Sequence, residues 1–225
     1  MKTVRGECFE MTSVTFGRGE KRMVMLPGLS LHPVCDAAEA IAMAYADMAE
    51  THRITLFDYA KKPQAGYTVR AIARDVIEAM RLLSIPQADL FGCSLGGMVA
   101  AAIAADYPEA VRRMVLASSY GQRNASSDLV FENWIALASA GDVVALNRDF
   151  VKRVYSEAYA ARYREAFASM ETLGTAEELE RFVILARAAK NFDLYDKLSA
   201  IRCPTLVIGA EEDHILTPEA SRELA

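Results

Sequence analysis

The 225 residues are long enough to bury a sizeable core, and a composition of 52% hydrophobic and 24% charged side chains excludes a disordered or fibrous chain. The formal net charge of -5, with no run of Lys and Arg, argues against nucleic-acid binding or a polybasic membrane anchor and leaves a small molecule as the expected partner. Met1 to Glu7 lacks the apolar core of a signal peptide and no stretch has the uninterrupted apolar length that spans a bilayer, so the expected location is the cytoplasm.

Residues 8–16 alternate loosely between apolar and polar and run into Gly17-Arg18-Gly19-Glu20, which reads as a strand entering a hairpin-like turn. Arg22-Met23-Val24-Met25-Leu26 is a short apolar strand stopped by Pro27-Gly28. An Ala- and Met-rich helix is expected over 36–50, then a strand over 53–58 whose continuous apolar run suits a parallel sheet covered on both faces. Thr68 is a natural N-cap, and behind it Val69, Ile72, Ala73, Val76, Ile77, Met80 and Leu83 fall on one helix face. Ala88-Asp89-Leu90-Phe91 is the next strand, 98–106 a buried Ala-rich helix beginning near Gly97, and 113–117 a further strand. This alternation predicts an α/β fold with a mostly parallel sheet flanked by helices and joined by right-handed crossovers.

The alternation breaks over 121–199, where strand signals give way to helical ones. Thr175-Ala176-Glu177-Glu178 reads as a capping box ahead of the apolar set Leu179, Phe182, Val183 and Ala186. Residues 121–199 are therefore expected to form an inserted helical cap on a core made of 1–120 and 200–225. Thr205-Leu206-Val207-Ile208-Gly209 returns to strand, and Thr217-Pro218-Glu219 opens a last helix. The four cysteines, Cys8, Cys35, Cys93 and Cys203, show no close pairing and read as reduced structural thiols, with the Cys93 side chain turned away from its neighbour Ser94.

Gly92-Cys93-Ser94-Leu95-Gly96 matches G-x-S-x-G at the junction of an apolar strand and a helix, the setting in which that pattern carries chemistry. A serine on so tight a turn holds a strained backbone and brings the residues two away on either side together, so only glycine fits there. The helix start offers N–H groups and a partial positive charge to an oxyanion developing beside Ser94. No phosphate-cradling glycine pattern of the P-loop or dinucleotide type is present.

With this elbow, Leu26-Pro27-Gly28-Leu29-Ser30 after an early strand, and Pro204 to Asp213 followed by Pro218, the chain from about residue 7 onward resembles the α/β-hydrolase superfamily, in particular its small esterase and lactonase-like members with helical caps. The resemblance implies Ser94 as nucleophile, backbone N–H groups of Leu29 and Leu95 as the oxyanion hole, and Asp213 as the acid that orients an imidazole. Glu211 and Glu212 compete for the acid's role, and relatives commonly carry His-Gly where Pro27-Gly28 stands here. Ser30, His32 and Trp134 are expected at the substrate pocket, with Phe131, Tyr155, Tyr159 and Phe182 as further cap aromatics. Asp58 is expected to be structural. No metal and no organic cofactor is required.

A serine needs a base, and in the family's chain order the histidine follows the acid after one more strand. The three histidines are His32, His52 and His214, none of them in that place, and the chain stops at Ala225 inside its last helix. The expectation is a longer hydrolase cut short, with the 225 residues inactive or very weak on their own. The expected reaction is hydrolysis of a small carboxylic ester, thioester or lactone through an acyl-enzyme. A C–C hydrolase, a lyase, a cofactor-free haloperoxidase or a non-catalytic small-molecule-binding protein are the alternatives.

Overall fold

A computed structural model describes residues 1–225. Its centre is a seven-stranded sheet in the order β1-β2-β4-β3-β5-β6-β7, formed by β1 (Lys2–Arg5), β2 (Glu10–Phe16), β3 (Lys21–Leu26), β4 (His52–Phe57), β5 (Ala88–Cys93), β6 (Val111–Ala117) and β7 (Thr205–Ile208). The last five are parallel to one another, whereas β1 pairs with β2 and β2 with β4 antiparallel. The expected α/β architecture is present. Successive strands after β3 are laid down on opposite sides of it, β4 on one and β5 on the other, so the topological switch lies between β3 and β5. In open α/β sheets the crevice outside the carboxyl ends of strands at such a switch is where ligands bind.

Helices cover both faces: α1 (Ala38–Ala44) and α2 (Ala46–Thr51) on one, α3 (Val69–Leu82) and α4 (Leu95–Asp106) on the other. Thr68 caps α3 as its spacing predicts, accepting from the Ala71 N–H at 3.2 Å, and Val69, Ile72, Ala73, Val76 and Met80 are buried. At roughly 1.5–3 kcal/mol for each large apolar side chain, that stripe supplies most of the reason the helix sits where it does. Residues 95–104 of α4 are all buried, so this helix is apolar all round and small enough in cross-section to lie against both α3 and the sheet.

Three details depart from the sequence reading. Gly17 to Glu20 is no hairpin turn, because β4 lies between β2 and β3. The hairpin is one step earlier, between β1 and β2, with Arg5 opposite Glu10. The glycines serve a close passage instead: Gly17 has φ +86°, and a Cβ on Gly19 would collide with the backbone of Thr51 and His52 where β4 begins. The helix over 36–50 is broken into a 3-10 turn, α1 and α2, with the break at Tyr45, whose φ of -108° is outside the helical range. Finally, α4 starts at Leu95, immediately after the serine, rather than at Gly97.

Between β6 and β7 the chain is helical, with α5 (Ala125–Ser139), α6 (Val143–Val154), α7 (Glu157–Arg162), α8 (Arg164–Met170), α9 (Ala176–Lys190) and α10 (Tyr195–Leu198); α11 (Pro218–Leu224) follows β7. The capping box of α9 forms as read, Thr175 Oγ1 accepting from the Glu178 N–H at 3.2 Å and Glu178 Oε2 accepting from the Thr175 N–H at 2.8 Å. No helix is long and apolar enough to cross a membrane. All four cysteines are free thiols.

Candidate active site

Ser94 sits between β5 and α4 with φ 53° and ψ -120°, a conformation that L-residues rarely adopt and that costs of order 1–3 kcal/mol. Four interactions hold it there. Its N–H donates to the Ala117 carbonyl at 2.9 Å, and its own carbonyl accepts from the N–H groups of Gly97 (2.9 Å) and Met98 (3.2 Å) and from Ser119 Oγ at 3.0 Å. The glycines on either side are steric requirements: a Cβ on Gly92 would run into the backbone of Gly96 and Gly97, and one on Gly96 into the carbonyls of Leu26 and Pro27. Gly97 lies so close to Ser119 that a Cβ would come within 2.6 Å of its side chain.

The loop after β3 reaches the same point. A Cβ placed on Gly28 would lie 3.3 Å from the Ser94 Cβ, so the loop passes directly beside the serine. The N–H of Leu29, the next residue, donates to no acceptor within the protein. As the first residue of α4, Leu95 has an N–H with no acceptor within the helix, and the positive end of that helix faces the serine. Both leucines are buried, at 7% and 0% exposure, so an anion held between these two N–H groups would be shielded from water. The loop itself is anchored by Tyr59, whose hydroxyl donates to the Pro27 carbonyl at 2.5 Å. Burial, with the nearby Asp58 charge adding to it, pushes the Tyr59 hydroxyl well above the usual phenol range and keeps it a donor. Tyr59 was not singled out from sequence, where nothing distinguishes it from any aromatic after a strand.

Asp213 follows β7, the second strand over from β5. Asp213 Oδ1 accepts from the N–H groups of Ile215 and Leu216, both at 2.9 Å, which fixes the loop and leaves Oδ2 with no protein partner. Its carboxylate is within electrostatic reach of the Cys93 thiol, and Cys93 is exposed. Glu211 and Glu212 are exposed and bond to nothing.

None of the three histidines bonds to both Ser94 and Asp213. His52 opens β4 at the amino end of the parallel strands, opposite the serine, with Nε2 3.3 Å from Asp89 Oδ2. There Asp89 also accepts from Arg112 through two bonds of 2.7 Å and faces Arg113 at 3.1 Å. Burial alone would raise the Asp89 carboxyl, but the hydrogen bonds from Arg112 and Arg113 outweigh it and hold the group below the ordinary aspartate range. His214 is exposed and makes no hydrogen bond. His32 lies on the loop after β3, with Nδ1 3.0 Å from Glu178 Oε1, which joins that loop to α9.

The remaining expected residues divide. Ser30 turns into its own loop, Oγ donating to the His32 carbonyl at 2.9 Å. Trp134 is 2% exposed and packs among other rings: its Nε1 donates to Asp149 at 2.8 Å and its ring lies 4.9 Å from that of Phe150 and 5.8 Å from that of Phe131. Phe131 and Phe182 share that interior, whereas Tyr155 and Tyr159 stack on each other at 5.2 Å with Tyr159 exposed. Asp58 is structural, as read. It is buried against Arg181 of α9 at 2.7 Å, a partner 123 positions away that no local pattern announces. A cavity of about 370 Å³ opens between the start of α3 and the end of α9, lined by Tyr67, Thr68, Arg70, Arg187 and Asn191 among others, and does not include Ser94.

A strained serine between a parallel strand and a helix, flanked by glycines that sterics require, thus stands beside the loop of the neighbouring strand at the switch point of an α/β sheet. Residues 56–225 match the family model described as alpha/beta hydrolase fold, and the chain belongs to that family. It is 29% identical over 189 residues to a protein of Rhizobium rhizogenes provisionally named carbamate hydrolase RutD, covering 83% of this chain and 72% of the relative. A pyrrolizixenacetamide deacetylase of Xenorhabdus hominickii is 30% identical over 166 residues, 69% of this chain and 59% of its own. Among solved structures, an enol-lactonase from Burkholderia xenovorans superposes with a TM-score of 0.87 at 22% identity, over 100% of this chain and 86% of that one, a likeness of fold.

Proposed function

We propose that Ser94 is the nucleophile of a hydrolase acting on a small carboxylic ester, thioester or lactone. The observation that carries this reading is the meeting of the strained Ser94 with the loop of Gly28 and Leu29 at the switch point of the sheet. In the proposed reaction Ser94 Oγ attacks the acyl carbon, the N–H groups of Leu29 and Leu95 receive the oxyanion, the alcohol or thiol departs with a proton, and water releases the acid from the acyl-enzyme. Asp213, with Oδ2 unengaged beside β7, is the orienting acid. A carbamate hydrolase, a deacetylase and an enol-lactonase among the similar proteins support the acyl-transfer class.

None of His32, His52 and His214 bonds to Ser94 or Asp213, so the base is assigned to none of them. Helices α5 to α10 act as the cap, which is supported by the ties of α9 to the loops after β3 and β4 at the carboxyl end of the sheet. A cytoplasmic site of action suits the four free thiols.

The test is release of p-nitrophenol from a series of short p-nitrophenyl esters, with intact mass recorded for the acyl adduct. Turnover above the buffer rate that disappears in Ser94→Ala is expected. Equal rates in the two proteins would remove Ser94 from the mechanism.

A further inference from the structure

β7 closes one end of the sheet and pairs only with β6. In that ladder the Met114 N–H donates to the Pro204 carbonyl at 2.9 Å and the Ser118 N–H to the Ile208 carbonyl at 2.7 Å. Alternate residues of a parallel ladder address the same neighbour, so Leu206 also serves β6, while Thr205, Val207 and Gly209 turn their N–H and carbonyl groups outward. An edge with such a row of free groups is a template for another strand.

One face of that edge is apolar and uncovered. Leu206 is 56% and Ile208 47% exposed. Register sets them beside Val115 and Ala117 of β6, which are half-buried, and the exposed Cys93 of β5 lies next to Ala117. Helices α1 and α2 pack on this same face over β3 and β4 and reach no farther than Phe91. A contiguous exposed apolar patch marks an interaction site. Charges of opposite sign flank it: Arg202 shortly before the strand, Glu211 and Glu212 shortly after it, all exposed and in no ion pair.

We infer that this face takes a second copy of the same chain, β7 pairing antiparallel with β7 about a two-fold axis and joining the two seven-stranded sheets edge to edge. The free backbone groups restrict the register, because both members of a hydrogen-bonded pair must point outward. Val207 opposite Val207 satisfies this. It sets Leu206 against Ile208 of the second copy, and the reverse, in the non-hydrogen-bonded pairs where side chains approach most closely. It also brings Arg202 opposite Glu212 of the second copy, with Glu211 beside it. The neighbouring register, Thr205 opposite Val207, sets Pro204 against Ile208 and Arg202 against Ala210. Only the first matches apolar with apolar and basic with acidic at both ends, the self-complementarity that a two-fold contact requires.

Sedimentation equilibrium of the 225-residue protein through the micromolar range is expected to show monomer and dimer in exchange. Leu206→Lys and Ile208→Lys change side chains that are exposed in the single chain, so each should keep the far-ultraviolet circular dichroism of the parent while losing the dimer. Arg202→Glu and Glu212→Arg each set like charges opposite one another twice per dimer and should raise its Kd about tenfold. The two changes together restore opposite charges and should bring the Kd back close to the parent's. A monomer throughout that range, which leaves the face to a different occupant, overturns the proposal. So does a dimer indifferent to the lysine variants, or a charge exchange that associates no better than either single change.

Discussion

Asp58 and Arg181 form the ionic contact with the largest predicted effect on stability. Their side chains are 5% and 8% exposed, so water screens the pair little. Asp58 Oδ1 takes the guanidinium at 2.7 Å and the Tyr59 N–H at 3.1 Å, and Oδ2 takes the Cys35 N–H at 3.4 Å; Arg181 also donates to the Ala60 carbonyl at 3.1 Å. Removing one partner of such a pair leaves a buried charge and costs about 3–5 kcal/mol, a large part of the 5–15 kcal/mol that typically separates folded from unfolded states. Arg181→Met is predicted at the lower end, because two N–H groups still serve the carboxylate. For a chain of this size that is a fall in Tm on the order of 10 °C. Asp58→Asn should cost a similar amount, since Arg181 then keeps only carbonyl partners. Combining Asp58→Asn with Arg181→Met removes both charges and should recover most of the loss. The assay is a double-mutant cycle in urea with scanning calorimetry. Single variants within 1 kcal/mol of the parent, or a combined loss equal to the sum of the two, would refute the account of a desolvated, mutually dependent pair.

Two further outcomes are predicted. Gly96→Ala drives a Cβ into the Leu26 and Pro27 carbonyls, which cannot swing aside as a side chain would, and should lower the urea-unfolding free energy on the order of 3 kcal/mol while abolishing Ser94 acylation; a stable, reactive variant would contradict the steric basis of the elbow. Asp89 has a folded-state pKa below its unfolded one, so its contribution is complete above the unfolded value, about 3.9, and is lost as pH falls through the folded value. Arg112→Met should therefore weaken stability most at neutral pH and flatten its decline below about pH 4; a loss of stability that stays constant from pH 7 to pH 2 would argue against this linkage.

What the sequence shows of this protein follows the range of the forces involved. The elbow is legible because its constraint is local: Gly92, Gly96 and Gly97 are needed within a few residues of Ser94 by sterics alone. The caps at Thr68 and Thr175 are legible for the same reason. Gly17 to Glu20 misleads because a turn and a tight crossover use the same residues, and only the later arrival of β4 between β2 and β3 distinguishes them. Helical spacing marks Trp134 as lying on a buried face without saying against what; here the rings of Phe131 and Phe150 are its neighbours. The partners of His32 and Asp58 are 146 and 123 positions away, where no pattern in a single chain points to them.

Those two distant contacts converge on one helix. Glu178 and Arg181 are three residues apart in α9, hence on the same face, and they grip the loops after β3 and β4, the strands on one side of the switch point. Ser94 and Asp213 belong to the other side, after β5 and β7; Ser94 is held by glycine sterics and by bonds to Ala117, Ser119 and the start of α4, and Asp213 by bonds to Ile215 and Leu216. The two sides nonetheless touch, since a Cβ on Gly96 would meet the Leu26 and Pro27 carbonyls and one on Gly28 the Ser94 Cβ. Arg181→Met, measured below its lowered Tm, should then slow acylation of Ser94 by a small ester as the loops after β3 and β4 loosen, and an acylation rate equal to the parent's would argue against that coupling.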